Sequence, residues 1–166
     1  MFFWIIIFFV IFQRLTELII AKRNAKWLLS RGAVEYGKEH YKFIVALHVC
    51  FFLSMIIEHH FRGDGDLNLI NYSFLLIFIL LQFLRVWIIS SLGPYWNTRI
   101  YRIPGEKLVN RGPYKFIKHP NYIVVAGEIL FLPLIFNLYY TAIIFTVLNA
   151  FILYIRIKTE NKALEN

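Results

Sequence analysis

Five apolar stretches separated by polar gaps limit what this chain can fold into more than any other feature. They lie at roughly 2–20, 42–61, 69–92, 121–137 and 139–156. Each is long enough, or nearly so, to cross about 30 Å of hydrocarbon as a helix. Overall, 59% of the 166 residues are hydrophobic and the mean hydropathy is +0.59, more apolar surface than a soluble domain of this length can bury. The expected architecture is an all-α integral membrane protein with about five transmembrane helices in one domain over 1–166. "MFFWIIIFFVIF" carries no basic n-region and precedes no small-residue cleavage site, so it is read as a retained first span. Only "NLYY" separates the last two stretches, which predicts a tight helical hairpin, and Pro133 is expected to kink the fourth span.

The cations assign an orientation. The 21–42 segment holds Lys22, Arg23, Lys26, Arg31, Lys38 and Lys42; the 93–120 segment holds Arg99, Arg102, Lys107, Arg111, Lys115 and Lys118. Arg156, Lys158 and Lys162 follow the fifth stretch, whereas the connections on the other side hold only Arg62. Lys and Arg accumulate on the cytoplasmic side. The N-terminus is therefore expected outside, and the C-terminus and both basic segments in the cytoplasm of a multi-pass plasma-membrane protein. The net charge of +8 is then mostly topology; no basic patch on a soluble module or nucleic-acid-binding pattern accompanies it.

Several polar residues fit structural roles. The lone Cys50 excludes a disulfide framework or a multi-cysteine metal site. "GDGD" at 63–66 lacks the remaining ligands of a calcium loop and reads as a turn. Glu58, His59 and His60 are sequence neighbours that diverge around a helix and form an outer interfacial cluster, so no metal site is expected. His48 reads as a hydrogen-bonded core residue.

"RGPYKFIKHPNY" at 111–122 is too rich for a plain connection. Gly112-Pro113 marks a turn, and Pro120 pushes His119 out of the helical region while fitting the first turn of the next helix. Tyr114, His119 and Tyr122 thus gather near a helix N-terminus whose free amides can receive a carboxylate. Such a set can serve a ligand with an aromatic base, a hydroxylated sugar and a carboxylate. The competing reading is a proline-ordered loop whose cations face lipid phosphates.

"LVNRGPYKFIKHPNY", Gly127 and "RIKTENKAL" together resemble the isoprenylcysteine carboxyl methyltransferase family, membrane enzymes that use S-adenosylmethionine. The resemblance covers the chain from about residue 92 onward. It implies a cytoplasmic cofactor-binding loop and a short C-terminal helix within 93–166. By that resemblance, S-adenosylmethionine touches Lys107, Leu108, Val109 and Tyr114. It also touches the His119-Pro120-Asn121-Tyr122 run and Glu160, while Arg156 approaches the reacting group and Glu160 serves catalysis too. Lys118 stands where the family has Arg, and Asn161 where many eukaryotic members have a second Glu. The short form looks like a bacterial subgroup that O-methylates lipid-tailed polyketides such as alkylpyrones. The implied acceptor is a lipophilic molecule entering from the bilayer lipids, methylated on a hydroxyl or carboxylate oxygen. A carboxylate needs only orientation by Arg156, whereas a hydroxyl would need Glu160 or His119 as base.

Arg156 and Glu160 stand four apart and share one helix face. Arg14 and Glu17 can pair across one turn, and Arg85 and Glu128 can pair with each other or line the substrate cavity. These intramembrane charges also suit a small transporter or channel, though no inverted repeat is visible. A non-catalytic scaffold is the third reading.

Overall fold

The computed structural model describes residues 1–164. Five apolar helices form it: α1 (Phe2–Ser30), α2 (Lys38–Arg62), α3 (Leu69–Leu92), α4 (Pro120–Leu134) and α5 (Tyr139–Leu164). Four are long and apolar enough to cross a membrane, and α4 is shorter. Large apolar side chains such as Phe8, Phe12, Ile19, Phe83, Val86 and Phe151 are exposed around them. In water that surface would be untenable; in lipid it is what a spanning bundle presents. The chain is a multi-pass membrane protein.

Helix α4 packs against α3 and α5, and α5 packs against α2. Gly127 permits the α3–α4 approach, because a Cβ there would lie 2.7 Å from Leu81 Cδ1. Phe3, Ile7, Phe51, Met55, Phe78 and Leu132 belong to the apolar core at the half of the bundle remote from the 93–119 segment.

The boundaries depart from the sequence reading in four places. Helix α1 continues ten residues beyond the expected 2–20 span and ends at Ser30. Helix α4 ends at Leu134 instead of 137, and Pro133 closes it rather than kinking its middle. Asn137 takes a left-handed conformation (φ 57°), while Leu138 N–H bonds Pro133 C=O and Asn137 N–H bonds Leu134 C=O at 3.0 and 3.2 Å. That is a Schellman closure with Asn in place of Gly. The buried Asn71, in the first turn of α3, donates to Leu134 C=O and Asn137 Oδ1 at 3.2 and 2.9 Å. Helix α4 with its closing turn thus reaches the far end of α3 despite having only 15 residues. Among the described residues no separate short C-terminal helix forms, because α5 runs unbroken through Arg156 and Glu160. Finally, the all-helical description gains one small exception. β1 (Val34–Tyr36) pairs antiparallel with β2 (Ile100–Arg102), with Glu35 opposite Tyr101.

Glu58 caps α5 from α2, accepting from Tyr140 N–H and Thr141 N–H at 3.2 and 2.7 Å. His59 stacks on Phe3 with ring centres 3.7 Å apart and reaches Asp64 at 3.3 Å. Glu58 and His59 thus each hold a neighbouring element in place.

Midway along the bundle the intramembrane charges close on one another. Arg85 donates through Nε to Glu128 at 2.8 Å and through Nη1 to Glu17 at 3.1 and 3.2 Å. Arg14 donates to Glu17 at 2.8 Å and also pairs with Glu128, while Gln82 reaches Glu128 at 2.9 Å. Two cations and two anions cancel, and the network ties α1, α3 and α4 together. His48 binds its own helix at Ile44 C=O, 2.8 Å away.

Candidate active site

The site lies where the 93–119 segment folds back on α1, α4 and α5. The extension of α1 holds its start. Asn24 donates to Gly93 C=O and Trp96 C=O at 3.1 and 2.7 Å, and Asn97 returns a bond to Ala21 C=O at 2.8 Å. The β1–β2 pair fixes the middle. Glu35 accepts from Arg99 and Tyr101 at 2.8 and 3.3 Å, and Arg99 lies over the Tyr41 ring at 4.3 Å. Near the end of the segment, Gly112 has φ 57°, and a Cβ there would overlap Ser91 Oγ. Only glycine permits both that conformation and that approach. A single 3-10 turn over 112–115 follows, with Pro113 buried.

His119 stands before α4 at φ −129°, ψ 61°, outside the helical region, and Pro120 occupies the first helical turn. Its ring stacks on Tyr122 with centres 5.5 Å apart. One nitrogen, Nδ1, lies 3.4 Å from Glu160, and Nε2 lies 3.0 Å from Asn161 Oδ1. The bond to Glu160 raises the imidazole pKa above its ordinary value. Tyr122 Oη donates to Glu160 and accepts from Arg156 Nε at 2.9 Å. Arg156 and Glu160 do share a face, but the Tyr122 phenol stands between them. A second bond from Arg156 reaches Thr98 C=O, tying α5 to the loop. Burial raises the Tyr114 phenol, which stays protonated.

These groups surround a cavity of about 500 Å³. Of the residues picked from sequence, Lys107, Leu108, Val109 and Tyr114 line it, as do His119, Asn121, Tyr122, Arg156 and Glu160. Pro120 is buried in the first turn of α4, behind the wall. Arg14, Glu17, Arg85 and Glu128 are occupied with one another and do not line it. Sequence reasoning missed another part of the lining: Tyr95, Trp96, Arg102 and Glu106. For Tyr95, Trp96 and Arg102 the dense polar and aromatic run "PYWNTRIYR" was the available signal. Trp96 Nε1, Arg102 Nε, Glu106 Oε2 and Asn121 Oδ1 are shielded from water and have no hydrogen-bond partner.

The model of the isoprenylcysteine carboxyl methyltransferase family matches residues 74–166. An uncharacterised Bacillus subtilis protein, YpbQ, is 41% identical over 163 residues, covering 98% of this chain and 96% of its own. An uncharacterised Haemophilus influenzae protein is 29% identical over 154 residues, covering 92% and 89% respectively. No solved structure matches.

Proposed function

Since the chain belongs to the isoprenylcysteine carboxyl methyltransferase family, we propose that it is a membrane methyltransferase using S-adenosylmethionine and acting on an oxygen of a lipophilic small molecule. The observation that carries this reading is the meeting of His119 with Glu160, 3.4 Å apart, on the wall of a cavity of about 500 Å³. The volume falls in the range of small-ligand sites, roughly 300–1,000 Å³. The lining fits the donor's parts: aromatic faces for a base, the unmet acceptor Asn121 Oδ1, and the carboxylates Glu106 and Glu160 for positive groups.

Bound S-adenosylmethionine supplies a methyl group activated by a sulfonium. Tyr114, His119, Asn121, Tyr122 and Glu160, with the 107–109 stretch, would hold it. The chain's own contribution is mainly positioning. Tyr122 fixes the Glu160 carboxylate and the Arg156 guanidinium relative to each other, so that neither side chain has to be ordered when ligands arrive. Arg156 places a fixed positive charge at the cavity wall, suited to orienting an electron-rich oxygen. In this reading the acceptor reaches the site from lipid, and the cation-rich ends of the helices support a cavity that faces the cytoplasm. Alkylpyrone-type polyketides are acceptors of suitable chemistry, a reading that rests on the subgroup resemblance. The neutral, mutually paired charges within the bundle favour no transport reading.

Calorimetry with S-adenosylhomocysteine tests the site. Wild-type protein in detergent should bind it, and His119→Ala and Glu160→Ala should each weaken binding by about tenfold or more. Unchanged affinity in both variants removes these residues from the site, and no binding to wild type removes the reading. Lipid mass spectrometry on cells with and without the protein should then show species pairs differing by one methyl.

A further inference from the structure

Arg156 is held from two directions. Its Nε donates to Tyr122 Oη at 2.9 Å, and its Nη2 donates to Thr98 C=O. A single hydrogen bond leaves a guanidinium free to swing about the bond axis; a second, from another nitrogen of the planar group, fixes the plane. Nη1 then makes no hydrogen bond among the described residues and is the donor left for a ligand oxygen. The carbonyl that supplies the second bond sits in a loop and is itself clamped. Tyr41, from the start of α2, shares a hydrogen bond with Thr98 Oγ1 at 3.3 Å. The next residue, Arg99, lies over the Tyr41 ring at 4.3 Å and pairs with Glu35 of β1 at 2.8 Å. Its N–H bonds Asn97 Oδ1 at 3.0 Å, closing a turn across Thr98. Arg99 and Arg156 line both the large cavity and a narrow crevice, whereas Glu35 and Tyr41 line the crevice alone. Those two thus stand behind Arg156, out of reach of a ligand in the cavity.

We propose that Tyr41 is a positioning residue: with Glu35 pinning Arg99, it holds Thr98 so that Arg156 presents Nη1 to the acceptor oxygen. The assignment rests on the methyltransferase reading, and it adds residues that precede the 74–166 family match. Core packing does not account for Tyr41. The buried residues of α2 are Leu47, Phe51 and Met55, all beyond its second turn, and Tyr41 is only half-buried. Glu35 and Arg99 cancel in charge, so the clip contributes geometry rather than field. Methyl transfer needs the acceptor oxygen in line with the methyl carbon. A small displacement of the group that orients this oxygen lowers the rate. The donor contacts assigned above do not pass through Thr98. Loosening Thr98 therefore costs turnover and not donor affinity.

The test uses full-length protein in detergent with isotope-labelled arginine, followed by NMR. The Nε–H signal that disappears in Arg156→Lys belongs to Arg156, and its exchange with water reads how firmly the guanidinium is held. Tyr41→Phe and Thr98→Val remove the same hydrogen bond from opposite ends. Each should speed that exchange by about threefold to tenfold, and the double variant should go no further. Affinity for S-adenosylhomocysteine should stay within about twofold in all three, which also reports an intact fold. Turnover is read in membranes of the native cells, which contain the acceptor, as transfer of labelled methyl from S-adenosylmethionine into organic-extractable material. It should slow by a similar factor at unchanged KM for S-adenosylmethionine. Unchanged exchange overturns the assignment and leaves the methyltransferase reading standing. Faster exchange with full turnover also overturns it, as does a loss of S-adenosylhomocysteine affinity, which would make Tyr41 a general support of the fold. Wild-type protein that neither binds S-adenosylhomocysteine nor transfers methyl overturns both, and the missing binding tells that failure from the others.

Discussion

His119 connects the loop to α5 through one carboxylate, and its titration should be visible in stability. The Glu160 bond raises its pKa, against opposition from burial and from Lys118. A group whose folded pKa is raised adds stability below its ordinary value, about 6.5 for imidazole. That contribution fades as pH rises through the raised value. Thermal unfolding of wild type and His119→Gln in detergent should therefore differ most near about pH 6 and converge by about pH 9. A gap that widens with pH would contradict the ion pair. At this scale the sequence was partly legible. Pro120 announced the backbone of His119, and helical spacing put Arg156 and Glu160 on one face. The phenol between them was not legible, because Tyr122 comes from another helix. Nor was Glu106, whose distinguishing property is a missing partner, which only the folded arrangement reveals.

Among the elements, the charged network of α1, α3 and α4 makes the sharpest claim. Arg85 and Glu128 are 2% and 3% exposed and sit among apolar helices. Removing one partner of such a pair leaves an uncompensated buried charge, at a cost of about 3–5 kcal/mol. Arg85→Met or Glu128→Leu alone should lower stability on that scale. The double variant removes one cation and one anion together and leaves Arg14 with Glu17, still bonded at 2.8 Å. It should lose less than either single variant, as read by thermal or denaturant unfolding in micelles. An additive loss would mean that the pairs act independently. Sequence located these four residues and their spans, since long apolar runs are hard to miss. It misplaced the ends. Hydropathy continues through Ile135 and Phe136, so nothing apolar announces the stop after Leu134; the closure depends on a left-handed Asn137. The β1–β2 pair was equally hidden, because three-residue strands from distant segments carry no period.

For the whole molecule, the candidate site lies at one end. The far end is finished with apolar packing, the Glu58 cap and the Asn71 closure. The near end collects the extension of α1, the paired strands, the 93–119 segment and the last turns of α5, and these frame the cavity. Most of the cations lie there too, so topology and chemistry share a side. If positive charge sets the orientation, a water-soluble methyl donor enters from the cytoplasm and the acceptor arrives along the apolar flank. Cysteine labelling tests this without any assumption about catalysis. In a Cys50→Ser background, Phe116→Cys lies in the basic loop at an exposed position, and Asp66→Cys lies in the connection between α2 and α3. A membrane-impermeant maleimide added to intact cells should label position 66 and not 116. Position 116 should react only after the membrane is permeabilised. The reverse pattern would put the cavity outside, away from the cytoplasmic pool of S-adenosylmethionine, and the proposed donor would have no route to it.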